Sequence, residues 1–248
     1  MPNLKKSSKK ILLLATSVFL ALALIFLVWF LFYAYSGDDY PSYNTITYGG
    51  QTYKTVKIGE QVWFAENLNY NAESSICYGD DPDFCAEYGR LYDWETAMAV
   101  CPDGWHLPSN ADWDKLFRFV DGDTDTESPY RSPMAGEYLK ADKGWGGYIK
   151  GKKSEPPGPH IRATYVYGYE NTNGTNNYGF SALPGGEGYL GAGYHGFMFG
   201  ERAGFWWSAS EFNGEDAYYY GMASGTAHSH WDKHNKVFRF LSVRCVKD

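Results

Sequence analysis

Leu91-Tyr-Asp-Trp-Glu-Thr-Ala-Met-Ala-Val-Cys-Pro-Asp-Gly-Trp-His-Leu-Pro108 is an apolar, helix-like segment that closes on Cys101 and is stopped by Pro102-Asp-Gly104. A second cysteine stands far away in Val243-Arg-Cys-Val246. A bond between Cys101 and Cys245 ties an early helix to the last strand and encloses most of the folded region. Closing so long a loop stabilises a fold by roughly 4–5 kcal/mol in the chain-entropy model. It also needs an oxidising compartment, which places the domain outside the cytosol. The other cysteines, Cys77 and Cys85, bracket Tyr-Gly-Asp-Asp-Pro-Asp-Phe and are close enough for a local bridge. Other pairings are arithmetically open; local plus long-range is the expected one.

The N-terminus agrees with export. Lys5, Lys6, Lys9 and Lys10 precede an uncharged run over residues 11–35, and Asp38 and Asp39 follow it. An apolar stretch of about 20 residues spans a bilayer as a helix, and flanking positive charge stays on the cytoplasmic side. The competing reading is a cleaved signal peptide, with Ala34-Tyr-Ser36 as a small-x-small site. The run is longer than the roughly 7–15 residues of a signal h-region, which favours an uncleaved anchor. The expected organisation is a cytoplasmic basic segment (1–10), a transmembrane signal anchor (11–35), a linker (36–44) and one domain (45–248).

Composition narrows the domain's class. The formal net charge of −7 opposes phosphate backbones, so no nucleic-acid partner is expected. Aromatics make up 19% of the chain and Gly occurs 28 times, which fits short strands separated by many turns rather than a helical bundle. The motifs of phosphate-binding loops, zinc-protease helices and nucleophile elbows are absent. The fold class is therefore α+β: small antiparallel sheets, two or three short helices and long loops, behind the N-terminal transmembrane helix. Thr45 to Phe64 reads as two or three strands with turns at Gly49-Gly50 and Gly59-Glu60. A first helix is expected over residues 92–100, with Trp94, Ala97 and Met98 on one face. Ser109 has the character of an N-cap for a second helix with its apolar stripe at Trp113, Leu116, Phe117 and Val120, ended by Gly122. A short third helix runs from Ser132-Pro133 to Lys140. After Gly144 come long loops, then strands over 205–210, 216–220 and 236–246.

Several segments together carry a resemblance. They are Ile58-Gly-Glu-Gln-Val-Trp-Phe-Ala-Glu-Asn-Leu-Asn-Tyr70, Tyr88-Gly-Arg-Leu-Tyr-Asp-Trp94, Cys101 to Ser109 with Trp113, and Asn177-Tyr-Gly-Phe-Ser-Ala-Leu-Pro-Gly-Gly186. Phe205-Trp-Trp-Ser-Ala-Ser-Glu211 and Ser242-Val-Arg-Cys-Val-Lys-Asp248 fit as well. This pattern resembles the bacterial Fibrobacter succinogenes major paralogous domain, which implies an exported or surface domain without a defined activity. The order Trp94, Ala97, Cys101, Gly104, Leu107, Ser109, Trp113, with a cysteine in the final strand, is similar to C-type lectin-like domains. That similarity implies two helices beside a small antiparallel sheet, closed by the long bridge. Leu107-Pro-Ser with Trp113 also resembles the sulfatase-modifying, formylglycine-generating branch, whose chemistry needs reactive cysteines.

Candidate sites follow from residue type. A C-type lectin sugar site holds calcium through a Glu-Pro-Asn-like loop and a Trp-Asn-Asp strand; here Glu155-Pro156 is followed by Pro157, and Trp231 by Asp232. Asp121, Asp123 and Asp125 have the opening spacing of a calcium loop, but its later glycine and glutamate are missing. They read first as a solvated helix end. His228 and His230 share a face of a strand and are weak candidate ligands for zinc or nickel. His106 reads as a packed turn residue. No cofactor is expected, with calcium as the alternative. Flat rings stack on sugar faces, so Tyr165, Tyr167, Tyr169, Trp207 and Tyr219 are candidate ligand-binding residues, against the ordinary alternative that strand aromatics form the core. The expected function is a non-enzymatic binding or adhesion module for glycan or surface protein, membrane-anchored and facing the periplasm or the cell exterior. A structural role in the envelope and an enzyme of the formylglycine-generating type are the competing readings.

Overall fold

A computed structural model of the chain describes residues 18–30, 41–122, 132–146, 173–191 and 194–248. The chain divides into two units, Met1–Asp39 and Tyr40–Asp248. In the first, residues 18–30 are helical (α1). No helix among the described residues is long and apolar enough to cross a membrane. The rest of the run 11–35 lies outside the described residues, so the expected transmembrane span is not seen.

The second unit is α+β, built of small antiparallel sheets. Strands β1 (Tyr43–Tyr48), β2 (Gln51–Ile58) and β3 (Gln61–Phe64) form a meander. A short strand β4 (Ser75–Ile76) leads to α2 (Pro82–Tyr88), capped by the side chain of Asp81, and then to β5 (Leu91–Tyr92). Helix α3 (Trp94–Ala99) is capped by Asp93, and β6 (Trp105–His106) follows it. Helix α4 (Asn110–Asp121) carries the expected stripe, a capping box between Ser109 and Asp112, and Gly122 in the left-handed region at its end. The third helix is shorter than expected: α5 spans Ala135–Tyr138. Then come β7 (Glu187–Gly191), β8 (Tyr194–Met198), β9 (Ala203–Glu211), β10 (Asp216–Ala223), β11 (Ser229–Asn235), β12 (Arg239–Phe240) and β13 (Val246–Lys247). The sheet orders are β1-β2-β3-β13-β6, β11-β10-β9, β12-β7-β8 and β4-β5.

Both disulfides form as expected, Cys77–Cys85 and Cys101–Cys245, the latter across 144 residues of sequence. The second brings the end of α3 to β13, where Val246 pairs with Trp63 on one side and His106 on the other.

Strands β9 and β10 are buried on both faces. On one side Trp206, Tyr220 and Met222 pack with Trp63, Trp113, Phe117 and Phe180. On the other, Phe205, Trp207, Ala217 and Tyr219 pack with Phe64, Tyr92, Trp94 and Leu241. Two of the buried indole N–H groups find acceptors inside: Trp94 donates to Ser208 O at 2.8 Å and Trp207 to Tyr92 O at 2.8 Å. Met98 was expected on the buried face of α3, but it is 46% exposed, because the six-residue helix turns only Trp94 and Ala97 inward.

Burial sets an alkaline limit. Desolvation pushes Tyr88 up to about 12, and Tyr92 and Tyr219 higher. An unfolded tyrosine ionises near 10, so the stability of these neutral phenols is complete below pH 10 and is lost as pH rises through 10 to 12. Desolvation pulls Lys140 down to about 8, although nearby Glu137 opposes this. The native state therefore sheds that proton before the unfolded chain does, and this group makes stability rise from about pH 8 to 10. The urea midpoint is expected to climb modestly over that window and fall above it. In Lys140→Met the climb should vanish and the fall remain; a climb that persists in the variant contradicts the assignment.

Candidate functional site

Two positions in the loop between α5 and β7 decide the geometry of the site. Asn176 and Ser181 are not glycines, yet they lie at φ 52° and 53°, in the left-handed region. Such conformations cost energy and persist where surroundings enforce them. The enforcement is visible. Asn176 Oδ1 accepts from Ser181 N at 2.8 Å, and Asn176 Nδ2 donates to Ser181 Oγ at 2.9 Å. Gly179 sits between them at φ 70°, where a Cβ would come within 2.4 Å of Pro41.

Beneath this loop lies Arg244, fully buried. It has no carboxylate partner within salt-bridge distance among the described residues, and carbonyls surround it instead. Its Nη2 donates to Ser181 O at 2.7 Å, its Nη1 to Phe64 O at 3.1 Å and also to Phe180 O, and its Nε to Asn67 Oδ1 at 2.9 Å. Asn67 is the second hub: its Oδ1 also accepts from Trp206 Nε1 at 2.9 Å, and its Nδ2 donates to Tyr88 O at 2.8 Å. Arg244 and Asn67 thus fix the loop to β3, to strand β9 and to the end of α2.

The loop so held forms one wall of a cleft of about 530 Å³, within the size range of ligand sites. Asn176 and Ser181 face it from the loop, Tyr43 and Lys54 from β1 and β2, Glu66 from the segment after β3, Glu87 from α2, and Asp142 and Lys143 from beyond α5. Lys54 Nζ lies 5.6 Å from the centre of the exposed Tyr43 ring. Glu66 accepts from Lys54 N at 2.8 Å, leaving its other oxygen free for a hydroxyl. The lining mixes three carboxylates, two ammonium groups, an amide, a hydroxyl and one phenol. It offers many directional hydrogen bonds and one ring, with near-balanced charge.

The residues singled out in the sequence are placed elsewhere. Trp207 is 0% exposed and Tyr219 is 6% exposed. Both are core, so the expectation that they face a ligand fails; β9 and β10 are covered on both sides and present neither ring to solvent. Tyr165, Tyr167, Tyr169, Asp123, Asp125 and Glu155-Pro156 lie outside the described residues. Asp121 accepts from Met134 N at 3.3 Å, and burial is the main cause of its raised pKa. His230 lies against the rings of Phe205 and Tyr219, 6.2 Å from each, and burial lowers its pKa, with His228 adding to this. His234 stacks on Tyr219 at 4.4 Å and pairs with the buried Glu187 at 3.0 Å. Among the described residues no group of three or more His, Cys, Asp or Glu side chains could hold a metal ion. His106 is not a packed turn residue: it is half exposed and bridges Asp248 at 2.7 Å and Asp112 at 3.4 Å.

The architecture defines a disulfide-braced α+β domain with a polar cleft beside a strained, buried-arginine-anchored loop. The chain belongs to the Fibrobacter succinogenes major domain family, whose model matches residues 56–247. No curated protein matches it. No solved structure matches it either.

Proposed function

We propose that this protein is an exported, membrane-anchored binding module whose cleft takes a hydroxyl-rich ligand, a glycan. The observation that carries the reading is the Asn176–Ser181 loop. Two non-glycine residues in left-handed conformations are tied to each other by the Asn176 side chain, the second is anchored through its carbonyl by the buried Arg244, and both line the cleft. Carboxylates, amides and hydroxyls bind sugar hydroxyls, and the exposed Tyr43 supplies a ring for a C–H face. The export half of the proposal is supported by two disulfides, which need an oxidising compartment, and by the lysines ahead of the uncharged run 11–35. A C-type lectin-like arrangement is part of the same reading, supported by the long bridge from the end of α3 to β13. The formylglycine-generating alternative asks for reactive thiols, and all four cysteines are bonded.

A polysaccharide and oligosaccharide array probed with the soluble domain tests this. Binding is expected to at least one glycan class; Asp142→Ala is expected to weaken it about tenfold, as loss of a ligand-facing polar group does, and Asn176→Ala by a similar factor, because it removes the side-chain ties to Ser181 that shape the loop. An array that stays blank for the wild-type domain overturns the glycan reading.

A further inference from the structure

Helix α4 buries Trp113, Leu116, Phe117 and Val120, and Phe119 falls off that stripe onto the polar side. It is 50% exposed. A single exposed apolar side chain is ordinary, but this ring is held in place. It lies on the turn between β2 and β3, where a Cβ on Gly59 would come within 2.9 Å of Phe119 Cδ2. Gly59 itself stands at φ 59°, so both the turn and the ring's seat favour glycine there. Around the ring is a groove of about 840 Å³. Its rim carries the Lys115–Glu60 ion pair (3.1 Å), Gln61 and Arg118. A fixed aromatic ring ringed by hydrogen-bonding groups of both signs is suited to a sugar face.

What names the occupant is continuity with the cleft. Tyr178 meets Phe119 edge-to-face, with centroids 5.7 Å apart. Tyr178 also belongs to the loop whose Asn176 and Ser181 line the cleft. The loop thus presents polar groups on one side and, through Tyr178, supports the Phe119 ring on the other.

We infer that Phe119 is a second subsite that stacks on a later sugar of the same chain, so that the module prefers oligosaccharides over mono- and disaccharides. This rests on the glycan reading of the cleft.

The probes are length series of β-linked glucose, xylose, mannose and N-acetylglucosamine oligosaccharides, from disaccharide to hexasaccharide, titrated into the wild-type domain and into Phe119→Ala and Phe119→Trp. For whichever series binds, wild-type affinity is expected to rise with length. Phe119→Ala should bind the hexasaccharide about tenfold more weakly while disaccharide binding is unchanged, and Phe119→Trp should restore the length dependence. Equal hexasaccharide binding by wild type and Phe119→Ala overturns the inference and leaves the cleft reading standing. Failure of every series to bind the wild type overturns the cleft reading, and this inference with it. Because half the ring is buried, Phe119→Ala should lower the melting temperature by only about 2–4 °C and leave the domain folded at the temperature of titration, which separates lost binding from lost fold.

Discussion

The double variant Cys101→Ala/Cys245→Ala is expected to melt about 10–20 °C below the wild type. In the chain-entropy model a bridge across 144 residues is worth about 5 kcal/mol. In a domain of this size each kcal/mol shifts the midpoint by about 2–4 °C. The bridge also stands where the sheet is assembled. Cys245 O accepts from Phe64 N at 2.9 Å, and the next residue, Val246, joins β3 to β6. The Cys77–Cys85 bridge spans only eight residues, for which the same model gives about 2.5 kcal/mol. Cys77→Ala/Cys85→Ala should therefore lose about half as much. Equal losses in the two double variants would contradict the assignment of the long bridge as the principal brace. Alkylation of the native protein without reductant is expected to label no cysteine; labelled Cys101 or Cys245 would remove the main support for export.

Much of this architecture is legible in the sequence where the signals are local. The α4 helix is written by Ser109, its capping partner Asp112, a stripe at helical spacing and Gly122. The two disulfides follow from spacing and from the position of Cys245. Helix α2 is written in Asp81-Pro82-Asp83, an N-cap followed by proline, a local signal inside the short cysteine loop. The error over Trp207 and Tyr219 has a definite cause. Phe205-Trp-Trp207 and Tyr218-Tyr-Tyr220 are continuous aromatic runs, and an unbroken run is the mark of a strand buried on both faces. Judged by alternation, one face of each should have been open. The run over 236–246 read as a single strand because its residues are β-branched and aromatic. It is broken because residues 236–238 form a turn and the rest divides between two sheets, β12 pairing with β7 and β13 with β3 and β6. The cleft itself was not legible. Its groups come from six separate segments, each carrying ordinary surface residues, and only the tertiary fold brings them together. The one local trace was Asn177-Tyr-Gly-Phe-Ser181, a polar loop around a glycine.

Arg244→Met is expected to couple stability to binding in a way no surface substitution can. The guanidinium now satisfies carbonyls from residues 64, 180 and 181 and the side chain of Asn67, all in a site with no water-exposed surface at the arginine. Methionine fills similar volume but donates nothing. Asn67 Oδ1 keeps the Trp206 N–H, and the three carbonyls that lose this donor cost about 1–3 kcal/mol each, so a loss of at least about 3 kcal/mol and a melting point lower by at least about 6 °C are expected. Arg244→Lys should recover only part of this, because one ammonium group cannot reach acceptors spread around a planar fork. The functional consequence is the sharper test. With its anchor gone, the loop is free to release Asn176 and Ser181 from their left-handed conformations, and the cleft loses one wall. Glycan binding, measured well below the melting point of the variant, should therefore fall at least tenfold although Arg244 touches no ligand. Asn67→Leu should act in the same direction, since it removes the acceptor shared by Arg244 and Trp206. If Arg244→Met destabilises the domain but binds with wild-type affinity at low temperature, the arginine is a brace of the core alone and the loop holds its shape unaided.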